Sequence, residues 1–311
     1  MNDFKANELR QKTRAALLSI ASNTFLTALK LVAGIMMQSV SVISEAVHSG
    51  LDLLAALIAF FSVRKSGKPA DYQHQYGHGK IENIAGIAEA LLIFAATVYI
   101  LVEAAEKLRH GRFELEELGM GAAIMGFSAV ANFYVSQHLF RVARKTDSIA
   151  LEADALHLRT DVYTSLGVFT GLIAIRFTGM QILDPIAAIA VALLILKAAY
   201  DLTRNALRNI LDTRLPDEDE RIIREVLLEN AGKYVEFHKL RTRKAGPVRH
   251  IDMHLVVSRL STVEAGHRLS HLITGRIEEM LPGSQVLVHI EPCDNRCGDC
   301  RLHCPMAPAL R

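Results

Sequence analysis

The stretch that decides the fold is EAVHSGLD, residues 45–52, which lies inside an apolar run from Val40 to about Val63. An α-helix turns by about 100° per residue, so Glu45, His48 and Asp52 fall on one face, with the last two one turn apart. The pattern recurs as DALHLRTD, residues 154–161, again in an apolar setting and displaced by 109 positions. The sequence therefore predicts two helices with the same acid, His, Asp face, which together supply a four-ligand metal site.

Six apolar stretches predict an α-helical membrane protein with six transmembrane helices. The chain has 311 residues, 50% of them hydrophobic, and a mean hydropathy of +0.22, above that of an average soluble domain. About 20 apolar residues in a helix cross a hydrocarbon core of roughly 30 Å. The expected spans are 15–37, 40–63, 81–102, 118–140, 148–177 and 182–200. The first lacks a small-residue cleavage site and is followed at once by another span, so we interpret it as mature protein rather than a secretory signal.

The distribution of basic residues predicts the orientation of these spans. Lys and Arg precede the first span, follow the second, fourth and sixth, and so mark alternate loops as cytoplasmic. Both termini are then expected on the cytoplasmic side of the inner (plasma) membrane. The segment 107–112 departs from the pattern, with three basic residues on the predicted outer side. The net charge of +2 gives no indication of a nucleic-acid partner.

The buried His and Asp residues have a simple alternative explanation, in which His48 and Asp52 only hydrogen-bond to each other. Ionisable groups at mid-membrane cost about 2.5–3.5 kcal/mol each on insertion scales, so a repeated pair favours metal ligation. Three spans separate the two copies, so the two halves should cross the membrane in opposite directions, as inverted repeats do. His48 should then lie level with Asp161, and His157 with Asp52.

Three further potential ligands lie in the loop after the second span. Asp71, His74 and His78 repeat the ligand chemistry, and the glycines of the segment would let it fold around a cation. The alternative is a solvated basic turn. Glu89 in the third span either supports a ligand or pairs helices. Asn132 lies among small residues in the fourth span, where we expect close helix packing and no chemistry.

After Leu215 the composition becomes that of a soluble domain. A helix over 217–231, strands over 235–243 and 248–259, a helix over 262–281 and a strand over 285–291 predict a cytoplasmic α+β ferredoxin-like (αββαβ) domain. The expected organisation is a cytoplasmic segment 1–14, a transmembrane domain 15–205, a linker 206–216, a metal-binding domain 217–292 and a Cys-rich tail 293–311.

Histidines and carboxylates recur at ligand spacings on three elements of that domain, which favours metal over the alternative of unrelated surface histidines. These residues are His250, Asp252, His254, His267, His271, His289 and Glu291.

All four cysteines, Cys293, Cys297, Cys300 and Cys304, lie in the tail. In a reducing cytosol they are expected to bind metal rather than form disulfides. Four thiolates suit a zinc site or an iron–sulfur cluster, and a tail of free thiols is the alternative.

Over nearly its whole length the chain resembles the cation diffusion facilitator family of divalent metal exporters. The matching motifs are His48-x-x-x-Asp52, His157-x-x-x-Asp161, Asp71-x-x-His74-x-x-x-His78-Gly79-Lys80 and His289-Ile290-Glu291-Pro292. The resemblance implies a homodimer with six spans per protomer, a transport site from the first two motifs and a second site from the third. It also implies a binuclear cytoplasmic site, at His238, His254, His267, His289 and Glu291. Glu291 stands where a bacterial zinc member carries Asp.

The donor set indicates the cargo. Two imidazoles and two carboxylates in a tetrahedral arrangement suit Zn²⁺, as transported and regulatory ion, whereas Mg²⁺, Ca²⁺ and Mn²⁺ prefer more oxygen ligands. Fe²⁺, Co²⁺ and Cd²⁺ stay open as alternatives. Imidazole binds metal only when neutral and titrates near pH 6.5, so metal and protons compete, which predicts proton/metal antiport.

Other sources of function find little support in the sequence. It contains no Walker A or Asp-Lys-Thr-Gly motif, so ATP is not the expected energy source. A His-Glu-x-x-His metalloprotease helix is also absent, and we expect no enzyme activity. A membrane metal sensor that does not transport remains the alternative from another class.

Overall fold

The computed structural model describes residues 2–37, 40–110, 120–178, 180 and 182–294. It divides into two compact units, one up to Leu207 and one from Arg208 onward. The division falls inside the predicted linker 206–216.

Six long helices make up the first unit. They are α1 (Asn2–Met37), α2 (Val40–Ser66), α3 (Lys80–His110), α4 (Met120–Thr146), α5 (Ile149–Thr178) and α6 (Leu183–Ile210). A helix thus stands at each expected span. Helix α1 begins at Asn2 and so includes most of the predicted cytoplasmic segment 1–14, because residues 2–14 contain neither Gly nor Pro and are rich in good helix formers. For the same reason α6 extends into the predicted linker.

Four of these helices, α1, α2, α3 and α6, are long and apolar enough to cross a membrane within the described residues. Helices α4 and α5 have 27 and 30 residues, which at 1.5 Å per residue is also a membrane-spanning length. Helix α5 carries the acid, His, Asp motif, and α4 ends in a basic turn with Arg144 and Lys145.

Small residues bring the helices together. Ala55, Ala56 and Ala59 of α2 are fully buried, and α3 packs against α5 and α6 through Ala90, Ala153 and neighbouring aliphatic side chains. At Gly86 of α3, an added Cβ would lie 2.6 Å from Cγ2 of Ile149, so this close approach of α3 to α5 requires glycine. Such packing is typical of membrane helices, where lipid gives no hydrophobic drive for association.

A buried ion pair ties one end of this unit together. Lys12 Nζ of α1 lies 3.0 Å from Glu82 Oε1 of α3, and both side chains are almost inaccessible. The hydroxyls of Ser66 and Ser148 also donate hydrogen bonds to the Glu82 carboxylate. Glu82 of α3 therefore links α1, the end of α2 and the residue that precedes α5.

The second unit has the predicted αββαβ order, which is confirmed with boundaries shifted by a few residues. Its elements are α7 (Asp217–Glu229), β1 (Glu236–Ala245), β2 (Val248–Val257), α8 (Val263–Met280) and β3 (Ser284–Pro292). The sheet order is β1-β2-β3, with β1 antiparallel and β3 parallel to β2. The parallel pair is joined by α8, which begins after Thr262, whose hydroxyl accepts the N–H of Ala265. Ile223, Leu227, Ile251, Met253 and Ile273 are fully buried between helices and sheet.

Candidate metal centres

The two repeated motifs meet in the helical unit. His157 Nε2 of α5 lies 3.0 Å from Asp52 Oδ1 of α2, and His48 Nε2 of α2 lies 3.8 Å from Asp161 Oδ1 of α5. Ligand atoms of His48, Asp52 and Asp161 all lie within 4.8 Å of one another. The cross-pairing predicted from the inverted repeat is therefore confirmed, whereas the binding of metal by these residues stays a prediction.

The two pairs differ in their accessibility. The side chains of His157 and Asp52 are 9% and 4% exposed, whereas those of His48 and Asp161 are 46% and 20% exposed. One side of the cluster is therefore enclosed by the helices and the other is open.

Polar side chains of α1 and α4 support this cluster. Asn132 Nδ2 of α4 donates to Asp161 Oδ2 at 3.2 Å, and Asn23 Nδ2 of α1 donates to the backbone carbonyl of Asp52 at 3.3 Å. Lys30 Nζ donates to Ser49 Oγ, next to His48, at 2.7 Å. The expectation that α4 contributes packing alone is therefore incomplete. The only indication of this role in the sequence is the amide of Asn132 in a mostly apolar part of the helix.

The structure describes the side chain of only one of the two acidic residues that begin the motifs. Asp154 is fully buried on α5 and is not part of the three-residue group of ligand atoms found among the described residues. Glu45 lies within α2, but its side chain lies outside the described part of the structure.

The loop between α2 and α3 forms a second cluster. Asp71 Oδ1 lies 3.2 Å from His74 Nδ1, and Asp71 Oδ2 lies 3.2 Å from His78 Nε2. The backbone N–H of His74 donates to the same carboxylate at 2.7 Å and lowers the pKa of Asp71 below its ordinary value. Gly77, with φ of +83°, provides the turn that returns His78 to Asp71. The three predicted ligands are thus brought together around one carboxylate.

A third cluster lies on the sheet of the second unit. His254 of β2 is directly opposite His238 of β1 and His289 of β3, so three imidazoles stand side by side across the sheet. Their ring centroids are 5.4 and 4.7 Å apart. Glu291 joins them, with 2.6 Å from Oε1 to His254 Nδ1 and 3.2 Å from Oε2 to His238 Nε2. The hydrogen bond from His254 lowers the pKa of Glu291, which stays ionised and ready to bind a cation.

Other histidines predicted for this domain lie elsewhere. His267 contacts His271 on α8, with ring centroids 4.4 Å apart, and it is not in the group formed by His238, His254 and Glu291 within the described chain. Its ligand role stays a prediction. Of the β2 residues, His250 is buried and Asp252 lies 3.8 Å from Arg241, so the alternation along β2 brings only His254 to the cluster.

The predicted cysteine site is only partly described. Cys293 is buried, and its backbone N–H donates to the carbonyl of Val257 at 2.9 Å, which extends the β2–β3 pairing. Cys297, Cys300 and Cys304 lie outside the described residues, so zinc or an iron–sulfur cluster at the tail remains a prediction.

Comparison with known proteins covers both units. The family model of the cation efflux transmembrane domain matches residues 16–211, and that of the cation efflux protein cytoplasmic domain matches residues 215–293. The chain is 35% identical over 280 residues to an uncharacterised transporter, sll1263, of Synechocystis sp., with 90% of each chain covered. It is 31% identical over 279 residues to the cation-efflux pump FieF of Serratia proteamaculans, with 90% of this chain and 92% of that protein covered.

Among solved structures, a chain of the proposed zinc transporter CzrB is 38% identical, with 25% of this chain and 98% of that chain covered, at a TM-score of 0.25. The sequence matches to both units, the apolar helices and the clustered ligands lead to one assignment: the chain belongs to the cation efflux, or cation diffusion facilitator, family, whose members are integral membrane transporters of divalent metal cations.

Proposed function

We propose that this protein exports Zn²⁺ from the cytoplasm in exchange for protons, through an intramembrane site made by His48, Asp52, His157 and Asp161. The observation that carries the proposal is the convergence of two His–Asp pairs from α2 and α5, at 3.0 and 3.8 Å. Ionisable groups inside a membrane are retained where they serve a substrate or an ion path.

The chemistry of the donors favours zinc. Two neutral imidazoles and two carboxylates carry a net charge of −2, which a divalent cation neutralises inside the low-dielectric bundle. Nitrogen and oxygen donors in a group of four suit tetrahedral Zn²⁺, while Ca²⁺ and Mg²⁺ require more oxygen ligands. Fe²⁺, Co²⁺ and Cd²⁺ are the alternative cargoes.

The same atoms explain exchange with protons. His157 Nε2 faces Asp52 Oδ1, a geometry in which a proton bridges the two atoms when no metal is bound. A cation that takes both atoms as ligands must displace that proton. Metal moving outward and protons moving inward would then use one site in turn.

The remaining clusters have supporting roles in this proposal. Both termini are cytoplasmic, so the cluster of Asp71, His74 and His78 lies on the cytoplasmic side, where it collects cations. The cluster of His238, His254 and Glu291 binds regulatory Zn²⁺ in a homodimer. Metal there draws the two cytoplasmic domains together and biases the membrane part.

Transport into proteoliposomes tests the proposal. The purified protein is reconstituted, a pH gradient is imposed, and uptake of radioactive zinc is compared among the wild type, Asp161→Ala and the control Asp201→Asn, an exposed acid on α6. We expect uptake that depends on the gradient in the wild type and the control, and a loss in Asp161→Ala. Equal uptake by all three would refute the site.

The same assay separates the alternatives. Faster uptake of Fe²⁺, Co²⁺ or Cd²⁺ than of Zn²⁺ would reassign the cargo. Tight metal binding without uptake of any ion would favour a sensor that does not transport.

A further inference from the structure

Two acidic side chains outside the metal clusters are buried in the helical unit. Glu89 of α3 and Asp154 of α5 are both 0% exposed. None of their four carboxylate oxygens has a hydrogen-bond partner among the described residues. A buried, unpaired carboxylate is strongly disfavoured in the ionised form, so their retention calls for a function.

Aliphatic side chains pack around much of the pair. Ala90 and Ile93 of α3 and Ala153 and Ala155 of α5 are buried beside them. Where α6 packs against α3 and α5, it contributes aliphatic side chains such as Leu202. These contacts supply no counter-charge.

Charged groups of α2 and α5 act on the pair. Asp154 acts electrostatically on Glu89, and His157 of α5 and Asp52 of α2 act on Asp154. Ser19 of α1 also acts on Asp154, but its hydroxyl does not form a hydrogen bond of normal geometry with either carboxylate oxygen.

One charged side chain of α6 also lies near. Lys197 of α6 is exposed and lines a cleft beside Ala90, the neighbour of Glu89. Its side chain therefore lies on the surface of the helical unit and is not enclosed with the two acids.

Two carboxylates that repel each other in an apolar setting retain at least one proton when no cation is near. Asp154 lies three residues before His157, so both side chains project from the same face of α5, one turn apart. A dication held by His157 and Asp52 would place positive charge close to Asp154 and favour its ionised form. Binding of the cation and loss of the proton are then coupled, and the coupling is reciprocal.

We infer that Glu89 and Asp154 form a proton-binding site, separate from the metal ligands, which releases its proton when the cation binds between α2 and α5 and regains it when the cation leaves. The inference rests on the proposed function, because it assumes that the cation binds at that place. It adds a second proton carrier to the one that the metal itself displaces.

Counting protons released by zinc binding is the first test. Calorimetric titration of the full-length protein with Zn²⁺ in buffers of different ionisation enthalpy gives the number of protons released. The Glu89→Gln/Asp154→Asn variant should release about one proton fewer than the wild type. The control Glu103→Gln, an exposed acid on α3, should release as many as the wild type. Equal release by all three would overturn the inference.

An infrared measurement on the wild type alone can refute the inference, and variants then identify the group. In an infrared difference spectrum of the wild type, zinc binding should remove the C=O stretch of a protonated carboxyl group. Glu89→Gln should lack that change, and Glu89→Asp should restore it. If zinc removes no protonated-carboxyl band from the wild type, the inference is wrong.

Transport separates this inference from the proposed function. If the wild type shows no zinc uptake driven by a pH gradient, the proposed function fails first. If the wild type takes up zinc under a pH gradient, Glu89→Gln should transport fewer protons per zinc ion. It should retain zinc–zinc exchange at equal pH. An unchanged proton-to-zinc ratio in Glu89→Gln would refute the inference and leave the proposed function standing.

Discussion

Replacement of Asn132 by alanine should weaken zinc transport although Asn132 is not a proposed ligand. Its amide donates to Asp161 Oδ2 at 3.2 Å, while Asp161 Oδ1 is the oxygen that faces His48. The amide therefore fixes the rotation of the carboxylate and leaves the other oxygen free for the cation. Without the amide, the Asp161 carboxylate could rotate in the empty site, and binding of the metal would have to overcome the entropy lost when it is fixed.

The expected loss of zinc affinity follows from the usual strength of such a hydrogen bond. A hydrogen bond to a charged group contributes about 1.5–3 kcal/mol. Since about 1.4 kcal/mol corresponds to a tenfold change in affinity, Asn132→Ala should weaken zinc binding by about 10–100-fold. Loss of a side chain that orients a metal ligand typically has an effect of this size.

The concentration of zinc that gives half-maximal uptake into proteoliposomes measures this loss, because uptake reports the intramembrane site rather than the cytoplasmic cluster. Ser128→Ala is the matched control, since Ser128 lies one turn earlier on α4 and its hydroxyl donates to Ile124 of the same helix at 2.9 Å. An unchanged half-maximal concentration in Asn132→Ala, or an equal rise in Ser128→Ala, would refute the reasoning.

Three other predictions concern different parts of the chain. Lys12→Met leaves the buried Glu82 without its counter-charge and should lower the free energy of unfolding by about 3–5 kcal/mol, seen as a lower Tm, with partial recovery in Lys12→Met/Glu82→Gln. His48→Asp replaces a nitrogen donor by oxygen and should widen selectivity towards Mn²⁺, measured by competition with zinc uptake. The hydrogen bond from His254 lowers the pKa of Glu291 in the folded protein. Glu291 therefore binds fewer protons in the folded state than in the unfolded state, and the free energy of unfolding decreases as the pH falls through the lowered pKa. Thermal denaturation of Glu291→Gln at acidic pH should show a weaker dependence on pH than the wild type.

Sequence predicted well what depends on local periodicity. Each apolar stretch became a helix because hydrophobic length alone defines a span, and the positions of His48 and Asp52 on one face follow from helix geometry. The cross-pairing with α5 was also predictable, because two copies of a motif in opposite directions place unlike residues level with each other.

Contacts between helices that share no motif were not predictable. Such contacts depend on how each helix is rotated and which helices are neighbours, and the apolar pattern does not encode either. Examples are the hydrogen bond from Asn132 to Asp161 and the ion pair of Lys12 with Glu82. In the same way, alternation along β2 placed three candidates on one face but could not show that only His254 has ligands on both neighbouring strands.

The cross-pairing of α2 and α5 determines how a bound ion could leave. Each His–Asp pair takes one member from either helix, so no helix alone offers a complete set of donors. A slide of one helix past the other by a single turn, about 5.4 Å, would separate both pairs in the same movement. If the ion binds as proposed, full coordination would exist in one alignment of the two helices, and their relative displacement would free the ion without any rotation of the ligating side chains.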